Sequence, residues 1–303
     1  MTRILAIIIL LSLHLPLCAE PLKLLDSYPR FDHGPVSLKS VLGSKPVYLK
    51  FWASWCLDCR RELPSLQQSY EKYQQNIAMF AVNLNINEND EAIRKLQQES
   101  GLTMPIIMDQ HGSIASNFKF VGTPFHVLID TQGQVVYTTY RDDAKLAFKL
   151  EQLANRQEIE PGFETNAKLS NLSKAIKLPS DGTHLLYFSA TWCDAYMVEV
   201  EPNIAHNCLQ ANNTVNQLIK HNPQLNIQAF VNHLWTENDD LQAYKQRLNI
   251  TYPVNIDDNN ALFQLYRATG YPTVIVLKQG KEVARFNDFS QAQSILEQLK
   301  AYF

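Results

Sequence analysis

Cys56 and Cys59 stand a helical turn apart in Trp52-Ala53-Ser54-Trp55-Cys56-Leu57-Asp58-Cys59. This spacing lets one thiol attack a disulfide and the other release the mixed disulfide that forms, which is dithiol–disulfide exchange. The apolar run Val47–Phe51 reads as a strand that hands the chain to the cysteines, and Arg60–Tyr73 reads as a helix. Cys56 therefore falls at a helix N-terminus, where unpaired N–H groups and the macrodipole favour a thiolate. A second cluster, Gly122-Thr123-Pro124, follows sixty-odd residues later.

The elements around these residues alternate. After the first strand and helix come a strand (Ala78–Leu84), a helix (Asp90–Ser100) and a short strand (Ile106–Met108). A helix over Ser113–Phe118 is predicted next, then strands Phe125–Ile129 and Val135–Tyr140 and a helix Ala144–Ala154. The pattern predicts an α/β fold with a central mixed sheet flanked by helices.

The second half replays the first. Leu185 to Cys193 answers the strand and Trp-Cys turn, Glu237-Asn238-Asp239 answers Glu88-Asn89-Asp90, and Gly270-Tyr271-Pro272 answers Gly122-Thr123-Pro124. A repeat of this length means tandem domains, each large enough for its own core. The expected division is a leader over 1–19, a first domain over 20–157, a linker over 158–180 and a second domain over 181–303. Cys56 and Cys193 are 137 apart and Pro124 and Pro272 are 148 apart, so the second copy carries about 11 extra residues, placed between Glu199 and Thr214.

With 303 residues, 46% of them hydrophobic and 19% charged, the chain has globular composition. A net charge of −3 argues against nucleic-acid binding. Arg3 followed by the apolar run Ile4–Leu13 reads as a secretory signal cut after Ala19, which places the protein in the periplasm or outside the cell. Leu17 fits both the cleavage site and a lipoprotein signal poorly, so anchoring through Cys18 is not expected. Export leaves Cys56, Cys59, Cys193 and Cys208. No second Cys-x-x-Cys or paired histidines complete a zinc site, and no cofactor or metal is expected.

Together these motifs resemble the thioredoxin superfamily, most closely the exported TlpA/ResA-type thioredoxin-like proteins. The resemblance rests on Phe51-Trp52-Ala53-Ser54-Trp55-Cys56-x-x-Cys59, Pro64 and the Asp90–Met108 insertion. It covers roughly residues 21–155, and 177–303 more weakly. It implies two tandem thioredoxin-like folds, with Cys56 as the exposed nucleophile, Cys59 as the buried resolving thiol and Pro124 as a cis-proline facing them. Thr123 would offer its backbone to an extended substrate, in the manner of strand addition. Trp52 and Trp55 would pack beside the motif, Trp52 chiefly as a core aromatic, with Trp55, Thr123 and Pro124 forming the substrate-binding set. The implied clients are disulfides or thiols of exported proteins, with electrons from a membrane thiol–disulfide interchange partner.

Two positions depart from the family pattern. Asp58 places a negative charge near Cys56 and opposes the thiolate, unless it is simply a good first-turn helix residue. Lys50 replaces the buried acid that commonly relays a proton to the resolving cysteine. It either tunes the cysteines or pairs with a carboxylate or reaches solvent. His126 is a further neighbour, left outside the catalytic set.

In the second copy, Cys193-Asp194-Ala195-Tyr196 lacks the resolving cysteine. Cys193 could pair with Cys208, stay a lone thiol, or belong to a purely structural domain. On one straight helix the two would lie about 22 Å apart, whereas a disulfide needs Cα atoms within about 7 Å. Pairing requires the insertion and Pro202 to break the helix. The leading functional expectation is a reductant of protein disulfides with a docking or structural second domain. The alternatives are a binding scaffold with structural disulfides, or a disulfide oxidase or isomerase. A peroxidase fits less well, since Ala53 stands where a Thr-x-x-Cys threonine is usual.

Overall fold

The strand before the cysteines, β1 (Val47–Trp52), is buried along its whole length. Such a strand sits in the middle of a sheet covered on both faces. A computed structural model describes residues 22, 26–118, 121–159, 181–258 and 260–303. The expected leader and nearly all of the expected linker lie outside them.

A short helix, α1 (Leu38–Val41), precedes β1. Then come α2 (Leu57–Tyr73), β2 (Ala78–Asn83), α3 (Asp90–Ser100), β3 (Ile106–Met108), β4 (Phe125–Ile129), β5 (Val135–Thr139) and α4 (Ala144–Ala154). β1 pairs parallel with β2 and antiparallel with β4, and the sheet order is β3-β2-β1-β4-β5.

The second unit runs β6 (Thr183–Ser189), α5 (Met197–Val200), α6 (Pro202–His221), β7 (Ile227–Asn232), α7 (Asn238–Arg247), β8 (Val254–Asp257), α8 (Ala261–Leu265), β9 (Thr273–Lys278), β10 (Lys281–Phe286) and α9 (Ala292–Lys300). Its sheet, β10-β9-β6-β7-β8, repeats the first order read from the other edge. The fold is therefore two mixed five-stranded sheets, each flanked by helices. The extra residues of the second copy lengthen the helical segment after the motif, which is broken at Glu201 (φ −145°) between α5 and α6.

One expected element is different. Ser113–Phe118 is not a helix; two 3₁₀ turns, Gln110–Gly112 and Ala115–Asn117, stand there. His111 (φ 55°) and Gly112 (φ 73°) turn the chain out of helical conformation. The buried Asp109 carboxylate then accepts N–H bonds from Ile114 (2.8 Å) and Ala115 (2.9 Å), fixing a tight turn. The second unit repeats the device: Asp257 accepts from Leu262 (2.8 Å) and Phe263 (3.1 Å).

The two units share an apolar cluster. It runs from Trp52, Trp55 and Leu63 through Trp192, Cys193 and Cys208 to Phe263 and Tyr271. Two further clusters lie within single units, except that Leu234 of the second unit joins the cluster of the first.

Removing either turn-holding carboxylate leaves two buried N–H groups unpaired, each costing roughly 1–3 kcal/mol. Asp109→Ala and Asp257→Ala should each lower unfolding free energy by about 2 kcal/mol or more, read from urea midpoints.

Candidate active site

The turn between β1 and α2 is held from three sides. The Ser54 N–H donates to Glu88 at 2.8 Å, and Asn83 donates to the same carboxylate oxygen at 2.7 Å. Arg60 Nε donates to the Ser54 carbonyl at 2.5 Å. Trp55 donates its indole N–H to the Ile86 carbonyl at 2.7 Å. Cys56 thereby becomes the N-cap of α2, its sulfur accepting the Cys59 N–H at 3.2 Å. α2 starts at Leu57 rather than at Arg60, so the helix N-terminus lies directly at the cysteine.

Cys56 and Cys59 are joined as a disulfide, with Cα atoms 5.2 Å apart. The Thr123–Pro124 peptide bond is cis, and Thr123 lines a small cavity together with Cys56 and Asp58. The Thr123 hydroxyl is buried without a hydrogen-bond partner among the described residues. The charge of Asp58 is met by Arg61 in an exposed ion pair one turn along the helix.

Lys50 is fully buried and does not reach solvent. Its ammonium meets the carboxylate of Glu62 and lies 3.2 Å from His126 Nε2. His126 in turn shares a 2.7 Å hydrogen bond between Nδ1 and the Tyr48 hydroxyl. Glu62 was not singled out from the sequence. It lies three residues beyond Cys59, one turn on and on the same helix face, where it supplies the carboxylate that a buried lysine needs. Burial pushes the Lys50 ammonium down to about 7, against the upward pull of the Asp142 charge. Burial and the Lys50 charge hold His126 well below the usual histidine range, so the imidazole stays neutral.

The second motif is built differently. Cys193 is bonded to Cys208 on α6, with Cα atoms 6.1 Å apart, and both residues are fully buried. The break at Glu201 makes this reach possible. Tyr196 stands where the first motif has Cys59, and Tyr271–Pro272 is also cis.

The exposure expected of Cys56 is not found: it is 3% exposed, because the second unit covers it. Trp55 likewise lies under the second unit, its ring centroid 5.0 Å from Trp192 and 5.8 Å from Trp235.

Residues 21–138 match the model of the AhpC/TSA family. This part of the chain is similar to that family. The chain is 31% identical over 101 residues to the thiol-disulfide oxidoreductase ResA of Bacillus thuringiensis, covering 33% of this chain and 57% of that protein. The sporulation thiol-disulfide oxidoreductase A of Bacillus subtilis is 30% identical over 98 residues, covering 32% and 59%. The chain thus spans little more than half the length of the curated relatives it matches. Among solved structures, a thiol:disulfide interchange protein DsbE from Chlorobium tepidum aligns at 28% identity with a TM-score of 0.37, over 43% of this chain and 90% of that one. StoA from Bacillus subtilis aligns at 23% identity and a TM-score of 0.36, over 41% and 94%.

The Lys50–Glu62 pair of the first unit makes a prediction. Removing one partner of a buried pair strands the other charge, so Lys50→Met should cost about 3 kcal/mol near neutral pH, and adding Glu62→Gln should recover most of it. The unfolded chain holds the lysine proton to about 10.5 and the folded protein only to about 7. The unfolded state thus binds more protons between those values, and Lys50 makes stability rise with pH across that window. Urea midpoints from about pH 7 to 10 should show this rise in the parent and a flatter profile in Lys50→Met.

Proposed function

We propose that the protein is an exported thiol–disulfide oxidoreductase that reduces disulfides of other exported proteins through Cys56 and Cys59. The observation that carries this reading is the bonded pair at the very start of α2, with Cys56 as N-cap beside the cis-proline loop. In the reduced form, a Cys56 thiolate attacks one sulfur of a client disulfide. The client S–S bond breaks, a Cys56–client mixed disulfide forms, and the departing client sulfur takes up a proton. Cys59 loses its proton and attacks Cys56, releasing the second client thiol and leaving the Cys56–Cys59 disulfide. Two electrons pass from the dithiol to the client, and a membrane thiol–disulfide interchange partner returns them.

The charge beside Cys56 supports a reducing direction in this reading. Asp58 sits in the first turn, next to the sulfur, and its charge disfavours a thiolate there. The Arg61 pairing softens this effect without removing it, because both groups are solvent-exposed. A less stabilised thiolate makes the dithiol a better reductant. Lys50, Glu62 and His126 form a buried polar set that ties α2 to the central strands.

The second unit serves structure or docking in this reading. Cys193 has no partner within its own motif, and its sulfur is bonded to a helix residue in the core. A scaffold function for the whole chain is the rival. It is disfavoured by the intact Cys-x-x-Cys and its proline loop. A peroxidase is disfavoured by Ala53, which supplies no hydroxyl one turn before the nucleophile.

Cys56→Ser should abolish disulfide reductase activity, whereas Cys193→Ser should keep most of it. Reduction of a model protein disulfide with a chemical reductant as electron source measures both, and normal turnover by Cys56→Ser contradicts the assignment.

A further inference from the structure

Backbone groups on either side of the cleft beside Cys56, at Val121 and Leu57, are occupied by the second unit. The Val121 carbonyl, at the entrance to the Gly122-Thr123-Pro124 loop, accepts the Trp235 N–H at 2.7 Å. The Leu57 N–H, beside Cys56, donates to the Tyr196 hydroxyl at 3.1 Å, and that hydroxyl donates to the Trp55 carbonyl at 3.2 Å. The Trp235 indole lies flush on Gly122: a Cβ there would stand 2.8 Å from its Cδ1 and Cε2. The contact is reciprocal. Asn87 of the first unit donates its N–H to Thr269 at 3.0 Å and its side-chain amide to the Tyr271 carbonyl at 3.0 Å, and its side-chain oxygen accepts the Tyr271 N–H. Each proline loop is thus paired by the other unit.

What remains above Cys56 is a cavity of about 160 Å³, walled by Asp58 and Thr123 on one side and by Trp192, Tyr196 and Trp235 on the other. Cys56 itself is only 3% exposed beneath this small pocket, so little of its surface is open to a partner in the closed arrangement.

We propose that the second unit is a built-in lid over Cys56, latched by Tyr196 and Trp235, and that a protein disulfide reaches Cys56 only when the lid moves aside. Tyr196, the residue standing in place of the lost resolving cysteine, is the group that closes on the first motif. Its hydroxyl engages one of the N–H groups at the start of α2, and Trp235 covers the entrance to the proline loop at Val121 and Gly122. The proposal rests on the reading of Cys56 as the nucleophile.

The test uses the full mature chain, reduced, and follows labelling of Cys56 by peptide mass spectrometry. Two reagents are compared, iodoacetamide and a bulky polyethylene-glycol maleimide. The variants are Tyr196→Phe with Trp235→Ala, which removes the latch, and Gly122→Ala, which pushes the indole away from the opposite side. Losing the two Tyr196 hydroxyl bonds, together about 1.4 kcal/mol, shifts a closed–open equilibrium about tenfold. The maleimide should therefore label the latch variant about tenfold faster than the parent, and Gly122→Ala, which displaces the indole by contact, also faster than the parent, with a smaller change for iodoacetamide. Equal maleimide rates in parent and variants would overturn the lid. Reduction of a protein disulfide, run in parallel, separates this from the functional reading. Labelling that responds without turnover in any form supports the lid and refutes the reductase, and turnover with identical labelling does the reverse.

Discussion

The contact between Trp55 and Trp192 is the constraint from which most of the site follows. Each tryptophan immediately precedes its motif cysteine, each donates its indole N–H to the loop after the second strand of its own unit, and the two rings lie 5.0 Å apart. Aromatic pairs of this kind contribute about 0.5–1.5 kcal/mol beyond the area they bury. Because the rings sit next to the cysteines, packing them together brings the two motif faces against each other. The burial of Cys56, the pairing of both proline loops and the small cavity all surround this one tilted contact.

The polar groups inside the first unit answer a second constraint. β1 is buried on both faces, and Lys50 points a charge into it. An unpaired ammonium there would be far more costly than a paired one. Glu62 from α2 and the neutral His126 from β4 meet it, and Tyr48 completes the set. The charge network therefore ties α2, which carries both cysteines, to the central strands.

Much of this was legible in the sequence. The alternation of apolar runs and turn residues located β1, α3, β3 and α4 to within a residue, because their burial patterns are simple. The repeat was legible because Asp109 and Asp257, and the two Gly-x-Pro loops, recur in order. Glu62 was hidden, since a glutamate in a helix reads as a solvated residue unless the strand beneath it is known to carry a buried lysine. The turns at 110–117 were hidden for a related reason: Asp109 reaches forward to bind N–H groups, and no periodicity records that. The covering of Cys56 was out of reach, because Trp192, Tyr196 and Trp235 are ordinary core aromatics by type. Only the relative placement of the two units shows that they pack on the first motif rather than within the second.

The central claim is that Cys56 and Cys59 form a reducing couple. Its most direct test is the reduction potential of the protein, equilibrated in a dithiothreitol redox series, quenched with an alkylating reagent and read on the Cys56–Cys59 peptide by mass spectrometry. The account predicts a potential near that of thioredoxin, about −270 mV. A value near about −120 mV, that of a strong disulfide donor, would contradict it and mean that the protein delivers disulfides instead.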